Sequence, residues 1–253
     1  MKVPNQLQMT SDVLKFKSLE AISSSPKPAH GEIAPAKISL TKRGLDLFCL
    51  VLALPTLLPL MLGIAALIKL VSPGPVFFMQ DRIGFMGRRF RMFKFRTMKV
   101  NAETSSHQQH LKDLINSNVP MTKLDNQGDP RVIRFGGILR SSGLDELPQL
   151  INVVRGEMSL VGPRPCTPYE YEQFQPWHKQ RFRALPGLTG LWQVSGKNRT
   201  TFNQMIELDI RYAKEWSLWM DMRIIALTVP VLLGQVKEQK LKKANATCEK
   251  QKH

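Results

Sequence analysis

The chain has 253 residues, of which 43% are hydrophobic, and its formal net charge is +16. A chain of this length can bury one large core or two small ones, and the charge indicates an anionic partner, which could be a nucleic acid, an acidic membrane surface or a phosphorylated substrate. Its three cysteines show no CxxC spacing, which argues against a structural zinc site or a disulfide framework and favours a reducing compartment.

Residues 1–40 combine Ser, Pro, Lys and Gln with few aromatic side chains, which predicts a disordered N-terminal leader. The next segment, 41–70, is predicted to enter a membrane. Its stretch from Leu47 to Ile68 carries no charged side chain and reaches the roughly 20 apolar residues that a bilayer crossing needs.

Two features of this segment favour a helix that enters and leaves the membrane on one face. Pro55 and Pro59 each remove a backbone donor and favour a break, which a membrane tolerates where other groups satisfy the freed carbonyls. Lysine and arginine flank both ends, and such residues tend to stay cytoplasmic, so a re-entrant helix satisfies both flanks. Asp46 would then lie near the interface and pair with Arg43 or Lys42. A spanning helix and a buried core helix of a soluble protein are the alternatives.

A small β-hairpin is predicted after the membrane segment. Turn residues occur at Ser72–Pro75 and again at Gly84–Gly87, and short apolar and aromatic runs lie between and after them. In the second arm the aromatic and apolar residues would pack, while the cations face polar surroundings: Arg91, Lys94 and Arg96.

Two adjacent carboxylates, Asp145 and Glu146, precede an apolar repeat of helical spacing. Ser142 stands at capping-box distance before Asp145, and Pro148 fits a first helical turn. The pair is therefore predicted near a helix N-terminus, where unpaired backbone N–H groups favour ionised carboxylates that can act as a nucleophile or as magnesium ligands. Taken alone, the pair is better interpreted as ordinary helix caps.

The C-terminal part of the chain alternates loop and helix signals. A glycine-punctuated loop, PGLTGLWQVSGKNRTTF, includes Arg199, and such loops let backbone amides approach phosphates. A helix is predicted from Phe202 to Trp219. Residues 216–235 are predicted to form one or two interfacial helices anchored by tryptophans, with a packed core edge as the alternative. The lysine-rich residues 236–253 predict a disordered basic tail.

Five local motifs follow the proline-containing segment in order: FKFRTM, Asp129-Pro130-Arg131, SSGLDELPQL, MSLVGPRP and PGLTGLWQVSGKNR. Together they resemble the bacterial sugar transferases, the monotopic phosphoglycosyl transferases that make polyprenyl-phosphate-linked sugars, and the resemblance extends from about Lys42 to Gly234. Within this family, the chain most resembles the compact, exopolysaccharide-type members. It implies a mainly α fold with a small β-hairpin, in which a proline-broken re-entrant membrane helix and interfacial amphipathic helices hold a cytoplasmic catalytic domain at 71–235.

The resemblance also implies roles for individual residues. Asp145 matches the family nucleophile, which attacks the sugar-proximal phosphate of a nucleoside diphosphate sugar and forms a covalent intermediate. Glu146 matches a ligand of Mg²⁺, which is the cofactor expected. The expected phosphate contacts are basic: Arg164, Arg140, Lys94, Arg96 and Arg199. Arg164 is the leading one, because flanking prolines stiffen its backbone and a guanidinium can fork two phosphate oxygens.

The implied function is transfer of a hexose 1-phosphate from a UDP-sugar to undecaprenyl phosphate, with release of UMP, at the cytoplasmic face of the bacterial inner membrane. This reaction would initiate exopolysaccharide or surface glycan biosynthesis. The expected partners are the donor, the lipid acceptor and membrane lipids, and a homo-oligomer or contact with downstream glycosyltransferases is compatible with the resemblance. A non-catalytic basic membrane adaptor, binding anionic lipid or a partner protein, is the alternative. Nucleic acid is not expected, because no recognisable reading motif accompanies the basic residues.

Overall fold

The computed structural model describes residues 38–99, 131–196, 200–232 and 234. The predicted basic tail and nearly all of the predicted leader lie outside these ranges. Within them the chain is mainly helical with a small antiparallel sheet, as predicted. The elements in chain order are α1 (Leu40–Val71), β1 (Phe77–Ile83), β2 (Arg89–Phe95), α2 (Gly136–Ser142), α3 (Gln149–Arg155), β3 (Ser159–Val161), α4 (Pro168–Glu172), β4 (Gly187–Thr189), α5 (Leu191–Val194), α6 (Phe202–Glu215) and α7 (218–232). Short 3-10 turns cover Phe85–Gly87, Leu144–Glu146 and Pro176–Arg183.

The predicted β-hairpin is confirmed as the antiparallel pair β1 and β2. Its ladder begins with Phe77 opposite Phe95, and the 3-10 turn Phe85–Gly87 closes the other end. Since alternate residues of a strand share a face and directly paired residues lie on the same face, Arg82 of β1 and Lys94 of β2 project from one side of the hairpin. The hairpin therefore brings together two cations that are twelve positions apart in the sequence.

Helix α1 is the one helix in the described part of the chain that is long and apolar enough to cross a membrane. It contains Pro55 and Pro59 and is helical through both of them, so a change of direction there would be a bend within the helix. Large apolar side chains of its middle section are exposed: Leu47, Phe48, Val51, Leu52, Leu54, Leu58, Leu60 and Leu62. A buried core helix of a soluble protein would hide such side chains, so this exposed section fits contact with lipid.

The N-terminal turn of α1 is anchored in a buried polar cluster, which we call the base network: Lys42, Tyr212, Trp216 and Asp221. The Lys42 ammonium contacts the Asp221 carboxylate at 2.8 Å, and the Tyr212 hydroxyl and the Trp216 indole N–H donate to the same carboxylate at 2.7 and 2.9 Å. Lys42 also lies over the Tyr212 and Trp216 rings, at 5.7 and 5.9 Å from their centroids.

The prediction that Asp46 pairs with Arg43 or Lys42 is wrong. The Asp46 carboxylate instead accepts from the Ser159 hydroxyl at 2.9 Å and from the backbone N–H of Leu160 at 3.1 Å. Arg43 donates to the carbonyls that end α3, those of residues 153 and 154. The reason is tertiary: this turn of the helix packs against β3 and α3, which offer partners that the local sequence does not contain.

The C-terminal half of α1 packs against the hairpin and α2 through an apolar cluster. Its buried members are Ile64, Ile68, Phe95, Ile133 and Leu139, and Leu144 and Leu147 pack against them. Both ends of α1 therefore contact the same folded domain, and the exposed apolar section lies between those two contacts.

The C-terminal helices differ from the prediction in their boundary. Helix α6 ends at Glu215 and not at Trp219, because Trp216 takes an extended conformation and its indole is held by Asp221. Helix α7 follows, with Ile224 1% exposed and Trp219 77% exposed. One side of α7 thus packs on the core and the other side is open, which is the amphipathic character predicted for 216–235.

Candidate active site

Asp145 and Glu146 lie on a 3-10 turn between two short helices. Helix α2 ends at Ser142 and is followed by Gly143, whose left-handed conformation (φ 73°) suits a glycine, and the turn then leads through Leu147 and Pro148 into α3. Asp145 is 9% exposed. The Glu146 side chain is 28% exposed, so the two adjacent carboxylates occupy different environments, one buried and one open to the pocket described below.

The predicted capping box at Ser142 is wrong. The Ser142 hydroxyl donates backwards to the carbonyls of Ile138 and Leu139, at 2.8 and 3.1 Å, because Ser142 is the last residue of α2. Pro148 occupies the N-cap position of α3 rather than its first turn. The carboxylates therefore lie in the 3-10 turn Leu144–Glu146, three and four residues before α3 begins at Gln149.

Glu146 is the meeting point of two predicted phosphate-binding cations. The Lys94 ammonium lies 3.2 Å from Glu146 Oε1, and the Arg164 guanidinium lies 3.9 Å from the same oxygen. These three residues come from β2, from the turn before α3 and from the loop after β3. The structure thus brings Lys94, Glu146 and Arg164 together, with Asp145 next to Glu146 in the chain.

A pocket opens in front of this cluster. Its charged lining consists of the cations Arg82, Lys94 and Arg164 and the carboxylate Glu146, and its remaining walls are Met92, Gln149, Pro165, Gly187, Leu188 and Gln193. Three cations against one carboxylate give the lining itself an excess of positive charge, part of which is balanced from outside the lining by Glu170, 3.8 Å from Arg82, and by Asp145 next to Glu146. A pocket of this kind is suited to an anion with more than one negative charge, such as a diphosphate.

Burial makes this excess charge costly in the absence of an anion. Burial lowers the pKa of Lys94, the nearby cations Arg164 and Arg82 lower it further, and Glu146 and Asp145 offset part of the effect. Burial likewise lowers the pKa of Arg82, with Glu170 as the largest opposing influence. An anion bound in the pocket would relieve both effects, because it supplies the negative charge that the lining lacks.

Arg164 is presented by a tight crossing of β3 and β4. These strands pair in parallel, and the loop Gly162–Pro165 passes directly beside Gly187. A Cβ atom on Gly162 would lie 2.0 Å from the Leu185 carbonyl oxygen, so no larger residue fits at the start of the GPRP motif. The close approach of the two backbones fixes where the Arg164 side chain leaves the loop.

Arg96 does not join the pocket. It is 5% exposed, and its guanidinium donates to the carbonyls of Pro73 and Ser72 at 2.6 and 2.9 Å, just after α1 ends. Arg96 thus links the hairpin to the end of the membrane helix. Because these bonds engage both terminal nitrogens, the prediction of Arg96 as a phosphate contact is wrong. Arg140 lies in the last turn of α2 and does not line the pocket. Arg199 lies outside the described residues.

Three lining residues were not predicted as site residues: Arg82, Gln149 and Gln193. In the sequence, Arg82 is one of several cations that follow the membrane segment, and only the hairpin register puts it on the same face as Lys94. Gln149 stands three residues after Glu146, a helical spacing that brings side chains to one side. For Gln193 the sequence offers no signal, since its place in the pocket depends on how α5 packs.

The residues present fit a magnesium ion only in a shared site. Among the described residues, no group of three or more His, Cys, Asp and Glu side chains could hold a metal. Mg²⁺ is commonly held by one or two carboxylates together with substrate phosphate oxygens and water. Glu146, which faces the pocket, suits that arrangement if the substrate supplies the phosphate.

Comparison with known proteins agrees with the geometry. The sequence model of the family described as "Bacterial sugar transferase" matches residues 37–235. The chain is 40% identical over 227 residues to the exopolysaccharide production protein ExoY of Rhizobium meliloti, covering 86% of this chain and 97% of that protein. It is 42% identical over 211 residues to the UDP-glucose:undecaprenyl-phosphate glucose-1-phosphate transferase of Caulobacter vibrioides, covering 80% of this chain and 73% of the relative.

A third relative is longer than this chain. The galactosyl transferase CpsE of Streptococcus agalactiae is 47% identical over 164 residues, which is 63% of this chain and 35% of CpsE. The match to the family covers most of the chain and includes the carboxylate pair and all three pocket cations. The chain therefore belongs to the bacterial sugar transferase family of enzymes.

Proposed function

We propose that the chain transfers a hexose 1-phosphate from a UDP-sugar to undecaprenyl phosphate and releases UMP, as the first membrane step in making an exopolysaccharide or surface glycan. The observation that carries this proposal is the pocket, in which three cations face Glu146 beside the buried Asp145. The positive charge of its lining suits the diphosphate group of a nucleoside diphosphate sugar. The names of the relatives include a galactosyl transferase and a glucose-1-phosphate transferase, so the sugar itself is left open.

The proposed reaction has two displacements at one phosphorus atom. In the first, a carboxylate oxygen of Asp145 attacks the sugar-proximal phosphate, the bond to the bridging oxygen breaks, and UMP leaves with that oxygen. In the second, a phosphate oxygen of the lipid attacks the same phosphorus and the bond to Asp145 breaks, which gives the polyprenyl diphosphate sugar and restores the carboxylate. Two displacements replace one difficult transfer between two anions.

The cations supply charge stabilisation in both steps. Arg164 can fork two oxygens of the reacting phosphate, and Lys94, which contacts the same Glu146 oxygen, adds a point charge. Arg82 would neutralise the uridine-proximal phosphate of the donor, the one that leaves as part of UMP. Their fixed positions stabilise charge that spreads over the phosphate oxygens in the transition state.

Magnesium is proposed as the cofactor, held by Glu146 together with the donor diphosphate. When bound, it would neutralise phosphate oxygens so that an anionic nucleophile can approach. We expect Glu146→Gln to raise the Mg²⁺ concentration needed for half-maximal activity. The measurement is UMP release over a magnesium titration, and an unchanged half-maximal concentration would remove Glu146 as a metal ligand.

The membrane segment is proposed to be re-entrant, with both ends on the cytoplasmic face of the inner membrane. A straight helix of the length of α1 would separate its ends by about 48 Å at 1.5 Å per residue. Yet Arg43, near the start of α1, donates to the Val153 carbonyl. The C-terminal half of α1 belongs to the apolar cluster against which Leu147 packs. Leu147 and Val153 are six residues apart, which is only about 10 Å of helical rise. This proximity supports a bend at Pro55 and Pro59, and it would bring the lipid-facing section and the pocket to the same side of the membrane.

A labelling experiment tests the topology. Single cysteines at positions 40 and 75, introduced into a chain whose own cysteines are replaced, should react with an impermeant thiol reagent from the same side of inverted membrane vesicles. Labelling from opposite sides would establish a spanning helix in place of the re-entrant one.

The activity is tested with purified protein, Mg²⁺, undecaprenyl phosphate and a panel of UDP-sugars. We expect UMP release with at least one donor, dependent on the lipid for multiple turnovers, and the preferred donor identifies the sugar. Absence of UMP release across the panel would overturn the proposal. Binding to anionic vesicles without turnover would then favour the non-catalytic membrane adaptor.

A further inference from the structure

The loop that carries Arg164 is clamped along its whole length. Four successive carbonyl groups, those of residues 163 to 166, each accept a hydrogen bond from another part of the fold. The backbone N–H of Gly187 donates to Pro163 at 2.9 Å, and that of Ile83 donates to Cys166 at 2.8 Å. The two carbonyls between them, of Arg164 and Pro165, accept from the guanidinium groups of Arg181 and Arg82.

Among these contacts, the bond from Arg181 reaches the Arg164 carbonyl itself. Arg181 Nη2 donates to the Arg164 carbonyl oxygen at 2.8 Å and also to the Asp209 carboxylate of α6. The Arg181 and Asp209 side chains are only 2% and 1% exposed. A buried arginine that bridges a core carboxylate and the backbone of a pocket residue can transmit the rigidity of the core to that residue.

The surroundings of the pair restrict its movement. The Arg181 guanidinium lies 5.8 Å from the centroids of both the Phe174 and the Phe182 rings. Asp209 is fixed on α6, where burial raises its pKa; the charge and hydrogen bond of Arg181, and to a smaller extent the charge of Arg164, oppose that rise. Two aromatic rings, one helix and the loop therefore hold Arg181 in a single position.

We infer that Arg181, paired with Asp209, is a positioning residue for Arg164 in the transfer reaction. It touches no substrate. It fixes the backbone of Arg164, so that the guanidinium meets the reacting phosphate without first being ordered. This inference deepens the proposed function and rests on it, since the role of Arg164 is that of a phosphate contact.

The test is a double-mutant cycle between Arg181 and Arg164, read in kcat and KM for UMP release. Arg181→Lys keeps the charge beside Asp209, but the shorter lysine side chain cannot place its ammonium where Nη2 now donates to both Asp209 and the Arg164 carbonyl. We expect kcat/KM to fall by about tenfold or more, the loss expected for one misplaced hydrogen bond to a charged group, and to fall mainly in kcat. In an Arg164→Ala background the same substitution should change kcat/KM by less than about twofold, because the two residues act as one unit.

Arg211→Lys is the matched control. It makes the same chemical change on α6, in an ion pair with Glu215 whose carboxylate is 56% exposed, and it should leave kcat/KM within about twofold. Thermal unfolding of every variant in detergent separates lost activity from lost folded protein. If Arg181→Lys does not fold, Asp209→Asn completes the cycle, because an asparagine oxygen can still accept from Arg181 while the ion pair is lost.

The outcomes separate the two proposals. No UMP release by the unmodified chain would overturn the proposed function. Turnover by the unmodified chain with equal losses from the Arg181 substitution in both backgrounds would overturn only the positioning role, because independent effects multiply. Loss confined to the background that contains Arg164 supports it.

Discussion

The base network and the pocket are both partly buried clusters of charge, and they differ in how that charge is balanced. In the base network, one cation, Lys42, meets one carboxylate, Asp221, and the carboxylate accepts two further hydrogen bonds. The pocket is lined by three cations and by Glu146, whose side chain is 28% exposed; Lys94 and Arg164 contact Glu146, and Arg82 contacts Glu170 outside the lining. A balanced buried pair favours one arrangement of the chain, whereas an excess of cations leaves capacity to bind an anion.

The two clusters also differ in what they join. Lys42 and Asp221 connect the start of the membrane helix to the start of α7, so their contact fixes the helix on the domain. The pocket cations come from β1, β2 and the loop after β3, and they converge on a space rather than on each other. We therefore expect substitutions in the base network to lower stability and substitutions in the pocket to lower activity.

The largest expected effect is that of Asp145→Asn on turnover. If Asp145 is the nucleophile, as proposed, its removal should lower kcat by at least about 10⁴-fold, because an asparagine amide cannot form the proposed bond to phosphorus. UMP release measures the loss, and labelled donor without lipid acceptor should leave label on the unmodified protein but not on the variant. Asp81→Asn, the same change at an exposed position of the hairpin, should keep full activity. Turnover by Asp145→Asn near the normal rate would end the covalent assignment.

The next effect is on stability. Lys42→Met leaves Asp221 buried without its cation and should lower the free energy of unfolding by about 3–5 kcal/mol, the range for breaking a buried ion pair. Thermal unfolding in detergent checks the loss, and kcat per folded molecule should change by less than about twofold. A variant with normal stability and a low kcat would reverse the distinction between the two clusters.

Arg164→Ala should show the opposite behaviour. We expect kcat/KM to fall by roughly 10- to 100-fold, equivalent to about 1.5–3 kcal/mol for a lost charged hydrogen bond. Because the Arg164 side chain is 41% exposed and its backbone stays clamped, the free energy of unfolding should change by less than about 0.5 kcal/mol. Kinetic and thermal unfolding measurements on the same variant test this expectation. A large loss of stability would show that Arg164 has a structural role like that of the base network.

The smallest effect is a shift in pH dependence. The pKa of Lys94 lies below its ordinary value of 10.5, chiefly through burial, so its cation is lost at a lower pH than that of an ordinary lysine. Activity that needs the protonated amine should therefore decline as pH rises through this lowered pKa. Lys94→Arg keeps the charge at alkaline pH and should move the decline to higher pH, as measured by kcat/KM across the alkaline range. An identical profile in both proteins would exclude Lys94 as the titrating group.

Local patterns in the sequence were sufficient for several elements. The hairpin follows from two sets of turn residues and the short apolar and aromatic runs beside them, and the long apolar helix follows from the length and composition of one stretch. The GPRP motif indicated the place of Arg164. The end of α6 was misplaced, because the interaction that ends it joins Trp216 to a carboxylate in the next helix.

The sequence by itself determined the hairpin, the long apolar helix and the chemical groups available to the site, since these depend on neighbouring residues. Only the tertiary structure decided which cations serve the pocket. Arg82 lies in it, and Arg96, from the motif that also holds Lys94, is used to hold the end of α1. Each cation is placed by partners that are distant in the chain. Lys42 with Asp221 and Lys94 with Glu146 are further examples, and such pairs are fixed by packing rather than by any local pattern.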